Sequence, residues 1–240
     1  MIIALIKYHL ILLMKDPMLM IFGLGLPFIQ MFLAADTPIG MATDYGNTVE
    51  MGMVAFINIA AMALCWGAGY NHSYSREIKF LRRLRMSPVK PFHYLVSGIL
   101  LNIAVLLLFA TALIAVGVTI FDVPVADRNW ALIIAMLLLV FAMFYVLAMF
   151  VANVLKKGKN SQTLSYVVFG GMIVAINVLI ADGMPNMLQQ IARNTPIAYA
   201  TNVLQSAWSG TNLLYGHDFI AMLAFIAVLG LLSVRLFKYE

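Results

Sequence analysis

Charge is what this sequence has least of. Asp, Glu, Lys and Arg make up only 10% of its 240 residues, against 63% hydrophobic residues and a mean hydropathy of +0.96. Soluble domains carry roughly 25% charged residues, and a fold of this size without them has no way to stay dispersed in water. Lipid must therefore solvate much of the exterior. Cysteine is nearly missing as well: Cys65 stands alone in an apolar run, which excludes an internal disulfide and reads as a small core residue. A metal centre has no framework, because His9, His72, His93 and His217 are scattered, with no His-x-x-x-His or paired Glu. The only Gly-Lys pair, Gly158-Lys159, is followed by Asn160 and lacks the upstream glycine of a phosphate-cradling loop. Asp and Glu lie almost wholly outside the apolar runs. That argues against an intramembrane hydrolase with paired acids and against a carrier with a carboxylate at mid-membrane. The chain reads as no enzyme in its own right, with either an energy source outside the bilayer or a passive pore.

What is abundant is apolar helix. Residues 1–15 are apolar but interrupted by Lys7, Tyr8, His9 and Lys15, too short and too basic to span, and they suit an interfacial helix. Asp16-Pro17 reads as a cap and a first-turn proline opening a first span over about 17–34, with a kink at Pro27. A rival reading takes this region as a signal peptide, since Phe32-Leu33-Ala34-Ala35 loosely resembles a cleavage site. Cleavage would leave five spans and push Arg235 and Lys238 outside. Further spans are expected over about 51–70, 92–121 (long enough to tilt or break), 130–155, 163–181 and 219–237. Between the last two, a polar stretch with Pro185 and Pro196 holds helical-looking pieces at 186–193 and 197–209. All of 1–240 reads as one transmembrane domain.

Charge placement sets the topology. With an even number of spans, Lys7, Lys15, the basic cluster between 76 and 90, Lys156, Lys157, Lys159, Arg235 and Lys238 share one side. Asp36, Asp44, Glu50, Asp122, Asp127, Asp182 and Asp218 take the other, where Arg128 and Arg193 are the only basic residues. Positive loops stay in the cytoplasm, which predicts six spans with both termini cytoplasmic. The net charge of +5 is then a topology signal, and no nucleic-acid partner is expected.

The basic cluster carries the most information. Ser73 or Ser75 can cap a helix that Pro88 must end, leaving room for about three turns. One reading is a juxtamembrane helix that fixes topology and meets lipid phosphates. The other is a docking helix, with Phe80 and Leu81 as apolar anchors and the arginines as charge pairs to a cytoplasmic partner. Within the spans, Gln30, Asn58, Asn102, Asn153 and Asn177 are polar. Each suits an interhelical hydrogen bond, and Asn58 and Asn177, nearest mid-span, are also candidates for lining a pathway.

The run Arg76-Glu77…Leu81-Arg82-Arg83-Leu84-Arg85-Met86-Ser87-Pro88-Val89…Pro91…Tyr94-Leu95, between the second and third expected spans, resembles the first cytoplasmic loop of permeases of type-2 ABC exporters. The amphipathic N-terminal segment before the first span agrees, as does Met184-Pro185…Ile191-Ala192-Arg193-Asn194-Thr195-Pro196-Ile197-Ala198-Tyr199 before the last span. One feature departs: where the family commonly has a Gly-Thr pair after the acidic residue, Lys79-Phe80 stand here.

The resemblance implies an all-α membrane fold of six spans, with an interfacial helix over 1–15, a cytoplasmic coupling helix over 73–87 and an outer re-entrant hairpin over 183–210. The coupling helix would dock on a separate ABC ATPase subunit through Arg76, Glu77, Lys79, Phe80, Leu81, Arg82, Arg83, Leu84, Arg85, Ser87 and Pro88. ATP and Mg would be held by that partner, with no cofactor in this chain. A second permease, identical or related, would complete the pathway in a membrane such as the bacterial inner membrane. The cargo expected is hydrophobic or amphipathic, a drug-like compound or an antimicrobial peptide, with a lipid-linked glycan as the next guess. A membrane scaffold whose basic loop binds lipid or another subunit is the alternative in a different class, and a passive channel a third.

Overall fold

A computed structural model describes residues 2–16, 19–36, 48–79, 91–154, 158–180, 185–210 and 216–236, and every regular element in it is helical. The elements are α1 (Ile2–Met14), a π-helical segment (Leu19–Gly25), α2 (Leu26–Asp36), α3 (Thr48–Glu77), α4 (Pro91–Phe121), α5 (Trp130–Val154), α6 (Gly158–Ile180), α7 (Asn186–Arg193), α8 (Pro196–Ser209) and α9 (His217–Leu236). By length and composition, α3, α4 and α5 can each cross a bilayer; Thr163–Leu179 and His217–Ser233 are shorter apolar stretches of α6 and α9. Near Pro27 the helix changes type: the π-helical turns end at Gly25, and Pro27 is the second residue of α2.

α3 is the hub. It packs against α2, the π-helical segment, α4, α5, α6 and α8. Small residues permit this: Ala55, Ala60, Ala61 and Ala63 are buried around the helix. At Gly69 the α5 backbone comes so close that a Cβ would lie 2.9 Å from the Ala148 carbonyl oxygen. Buried on all sides, α3 shows the all-round apolar pattern of an enclosed helix rather than an amphipathic stripe.

Contacts fix the helix directions. Ser75 near the end of α3 meets Tyr94 near the start of α4, so those two run antiparallel. Phe28 packs on Phe109 and Phe32 on Phe121, so α2 runs with α4. Glu50 pairs with Arg128, just before α5, while Arg76 reaches Ala152 near its end, so α3 and α5 run together. Asn153 meets Ser233, which brings the end of α9 to the same place. The bundle thus has a Glu50 end and an Arg76 end, with α1 packed at the latter through His9 and Tyr94.

α7 and α8 form a helical hairpin. Asn194 and Thr195 make its turn, with Thr195 Oγ1 donating to the Ala192 carbonyl at 2.5 Å, and Pro196 opens α8 at a position suited to proline. Thr201 lies beside Asn58, two turns of α3 below Glu50, whereas Trp208 lies at Glu50 itself, so α8 climbs out of the bundle toward that end. Gly210, at φ 74°, closes α8 in the left-handed conformation that glycine adopts without strain. α7 is amphipathic, and its Met187, Leu188 and Ile191 are exposed.

Candidate functional site

At the Arg76 end, one expectation changes. Ser73 and Ser75 do not cap a new helix: α3 runs unbroken through both to Glu77, because both serines are buried against neighbouring spans instead of lying at a helix start. The Ser75 hydroxyl shares a 3.0 Å hydrogen bond with the Tyr94 hydroxyl. The chain leaves the helix at Lys79, which has φ 57°. Of the proposed docking residues, Arg76, Glu77 and Lys79 lie in the described part, with Glu77 and Lys79 exposed. Phe80, Leu81, Arg82, Arg83, Leu84, Arg85, Ser87 and Pro88 lie outside the described residues. Arg76 is half-buried, and its guanidinium donates to the Ala152 carbonyl in the last turn of α5.

His9 joins α1 to α4 at this same end. Its Nε2–H donates to the Tyr94 carbonyl at 3.1 Å, and its ring lies so close to α4 that a Cβ at Gly98 would be 3.3 Å from it. Burial pushes the His9 imidazole below its ordinary pKa, and the Tyr94 carbonyl opposes that shift. A cavity of about 30 Å³ lies alongside, with His9, Asn71, His72, Tyr94, Asn102 and Tyr145 as its polar lining. It has room for about two waters, far less than a cargo molecule needs.

The Glu50 end holds a constellation the sequence reading did not assemble. Glu50, in the first turn of α3, is 5% exposed, and its carboxylate accepts from both the Arg128 guanidinium and the Trp208 indole N–H. Arg128 Nη1 also donates to the Trp208 carbonyl at 2.7 Å, and the guanidinium lies 5.4 Å from the centre of the Trp208 ring. Trp130 packs edge-on against Trp208 at 6.0 Å. Three segments, the start of α3, the α4–α5 loop and the end of α8, are thereby joined by one largely enclosed ion pair. The available signal was Arg128 itself, one of two cations on an otherwise acidic side.

The two in-span asparagines separate. Asn58 is fully buried and donates to Thr201 Oγ1 at 3.4 Å, at a contact between α3 and α8. Asn177 is exposed on α6 and donates to the Ile173 carbonyl of its own helix at 2.8 Å. Among the described residues, no three His, Cys, Asp or Glu side chains cluster as a metal site.

A family model described as ABC-2 family transporter protein matches residues 33–235, which takes in every helix from α3 to α8 and nearly all of α9. The chain belongs to the ABC-2 transporter family. It is accordingly a multi-pass membrane protein and a transport component, and membership implies association with an ABC ATPase subunit. No curated protein matches the chain. In the ABC-2 chain the matched region spans both ends of α3, so the ion pair at Glu50 and the Arg76 contact both belong to the permease domain.

Proposed function

We propose that this ABC-2 permease is half of the membrane part of an ATP-driven exporter, moving a hydrophobic or amphipathic cargo outward. A separate ATPase supplies the energy by docking on residues 76–88, with Phe80 and Leu81 as apolar anchors and Arg82, Arg83 and Arg85 as charge partners. The family match over residues 33–235 carries this reading, joined with a sequence that offers no phosphate-binding loop.

Two features support the finer points. Asp and Glu sit outside the apolar runs, which suits a drug-like compound or an antimicrobial peptide better than an ionic solute. The α6 face bearing Val167, Gly170, Gly171, Val174 and Asn177 is open, and a Cβ at either glycine would meet nothing within 4 Å. A second permease packing there would cover small residues and an exposed in-span amide, the composition that membrane helix interfaces favour. The side on which the lysines and arginines gather supports cytoplasmic termini, and the short loops and compact chain suit a bacterial inner membrane.

The test is to purify the chain gently from its native membrane and weigh the intact complex by native mass spectrometry. Two permeases with two P-loop ATPases is the expected composition. The chain alone, under conditions that preserve a control ABC complex, would refute docking through residues 76–88.

A further inference from the structure

We propose that Arg76 couples the end of α3 to α5 and α9, and that it is a positioning residue of the bundle rather than a contact of the ATPase. The inference rests on the exporter reading above and reassigns one residue within it.

α3 is one continuous helix to Glu77, and the chain turns away at Lys79. Arg76 is therefore on the last rigid turn before the segment proposed to dock. Its guanidinium is directed into the bundle. The final carbonyls of any helix lack intrahelical donors, and those that are buried cannot turn to water instead. Ala152 is 1% exposed in the last turn of α5, and its carbonyl accepts a hydrogen bond from Arg76. The contact also sets a cation at the negative end of the α5 dipole, and a charged donor makes the stronger kind of hydrogen bond.

The connection continues on both sides. Asn153, the residue after Ala152, donates from Nδ2 to the hydroxyl of Ser233 on α9 at 3.1 Å and to its carbonyl at 3.4 Å. Ser75, the residue before Arg76, holds Tyr94 at the start of α4, where the chain comes back from the 80–90 segment. Adjacent residues of α3 thus meet both neighbours: Ser75 takes α4, and Arg76 takes α5 and through it α9. A displacement of α3's end by a docked subunit would be delivered to three spans through these contacts.

The experiment uses the assembled complex in proteoliposomes, with spin labels at Leu108→Cys on α4 and Leu231→Cys on α9, in a Cys65→Ala background. Both label positions are strongly exposed, at 73% and 69%. Trapping with a non-hydrolysable ATP analogue should change the distance between the labels in the otherwise wild-type complex. Arg76→Gln should keep the ATPase bound at the same stoichiometry but lose that change, and cargo-independent ATP turnover should persist. Arg76→Lys, which can still place an N–H on the Ala152 carbonyl, should restore the change. Arg83→Glu should instead release the ATPase.

Loss of the ATPase in Arg76→Gln would show that Arg76 docks, and an unaltered distance change would show that the Ala152 contact transmits nothing; either overturns the inference. Should Arg76→Gln fail to assemble, Asn153→Leu tests the branch to α9 alone and is expected to weaken the change with the ATPase still bound. An undiminished change in that variant also overturns the inference. A wild-type chain that carries no ATPase refutes the exporter reading itself, and this inference falls with it.

Discussion

The two ends of α3 are held by different physics. At the Glu50 end a carboxylate, a guanidinium and an indole form a buried, charge-matched set that joins three segments. At the Arg76 end the helix is tied by separate contacts: a guanidinium on a helix-terminal carbonyl, a pair of hydroxyls, and an imidazole on the carbonyl of Tyr94. Removing one partner of a buried ion pair costs about 3–5 kcal/mol, whereas a neutral hydrogen bond contributes about 1 kcal/mol and one from a charged donor such as Arg76 about 1.5–3 kcal/mol. Stiffness is thus graded along one helix. The firm end lies at the α7–α8 hairpin, and the end held by smaller, separable interactions lies next to the segment proposed to receive the ATPase.

The sharpest attempt to break that contrast is Glu50→Ala. It should lower stability by about 3–5 kcal/mol, because Arg128 loses its countercharge in a largely enclosed site. Thermal unfolding in detergent measures this, and Arg128→Ala combined with it should cost much less than the sum of the two single changes.

Next in size is Gly69→Val, which forces α3 and α5 apart at Ala148, one turn from Ala152, because a Cβ at Gly69 would lie 2.9 Å from the Ala148 carbonyl oxygen. A loss of about 1–3 kcal/mol is expected; a larger loss than that of Glu50→Ala would reverse the ranking of the two ends.

Acidification should act on the α1–α4 contact at the Arg76 end. The folded state holds the His9 pKa below its ordinary 6.5, so neutral His9 supports the α1–α4 contact above about that pH. The support fades as pH falls through the folded value, since an imidazolium at that site would be desolvated beside His72, Tyr8 and Tyr94. Protection of α1 against hydrogen exchange, corrected for the intrinsic pH dependence of the rate, should fall between pH 7 and 5 with that of α5 unchanged, and His9→Gln should remove the dependence.

The smallest effect belongs to Asn58→Leu. Its 3.4 Å bond to Thr201 is long, and interhelical bonds in membranes average about 0.6 kcal/mol, so stability should shift by less than about 1 kcal/mol. Transport by that variant, measured separately, shows whether the site also matters to cargo.

Much of the helix layout was legible. The expected piece at 186–193 coincides with α7, and the spans begun at Phe92 and Trp130 differ from α4 and α5 by a residue at most at each end. Apolar runs bounded by Pro, Asp and Lys are enough for this, since a helix in lipid must satisfy its own backbone. The end of α3 was misread because Ser73 and Ser75 look alike as caps and as buried interhelical donors; only the presence of Tyr94 across the gap distinguishes the two. Asn58 and Asn177 were equivalent in sequence, and packing put one inside a helix contact and the other on an open face.

Composition by itself determined that the chain lives in a membrane, as helices, and the placement of charge set the expectation that its basic segments share one side. These are properties of transfer between water and lipid, and they depend on each residue's own chemistry. Tertiary structure alone decided that α3, less apolar than α4 or α5, is the one enclosed: 94% of its most apolar window is buried, against 33% and 44% for those of α4 and α5. It also decided that Glu50, Arg128 and Trp208 are one group. Between lipid and protein an apolar side chain gains little, so hydrophobicity cannot choose which helix goes inside. Close approach at small residues such as Gly69, and the need of each buried charge for a partner, make that choice, and both depend on residues far apart in the chain.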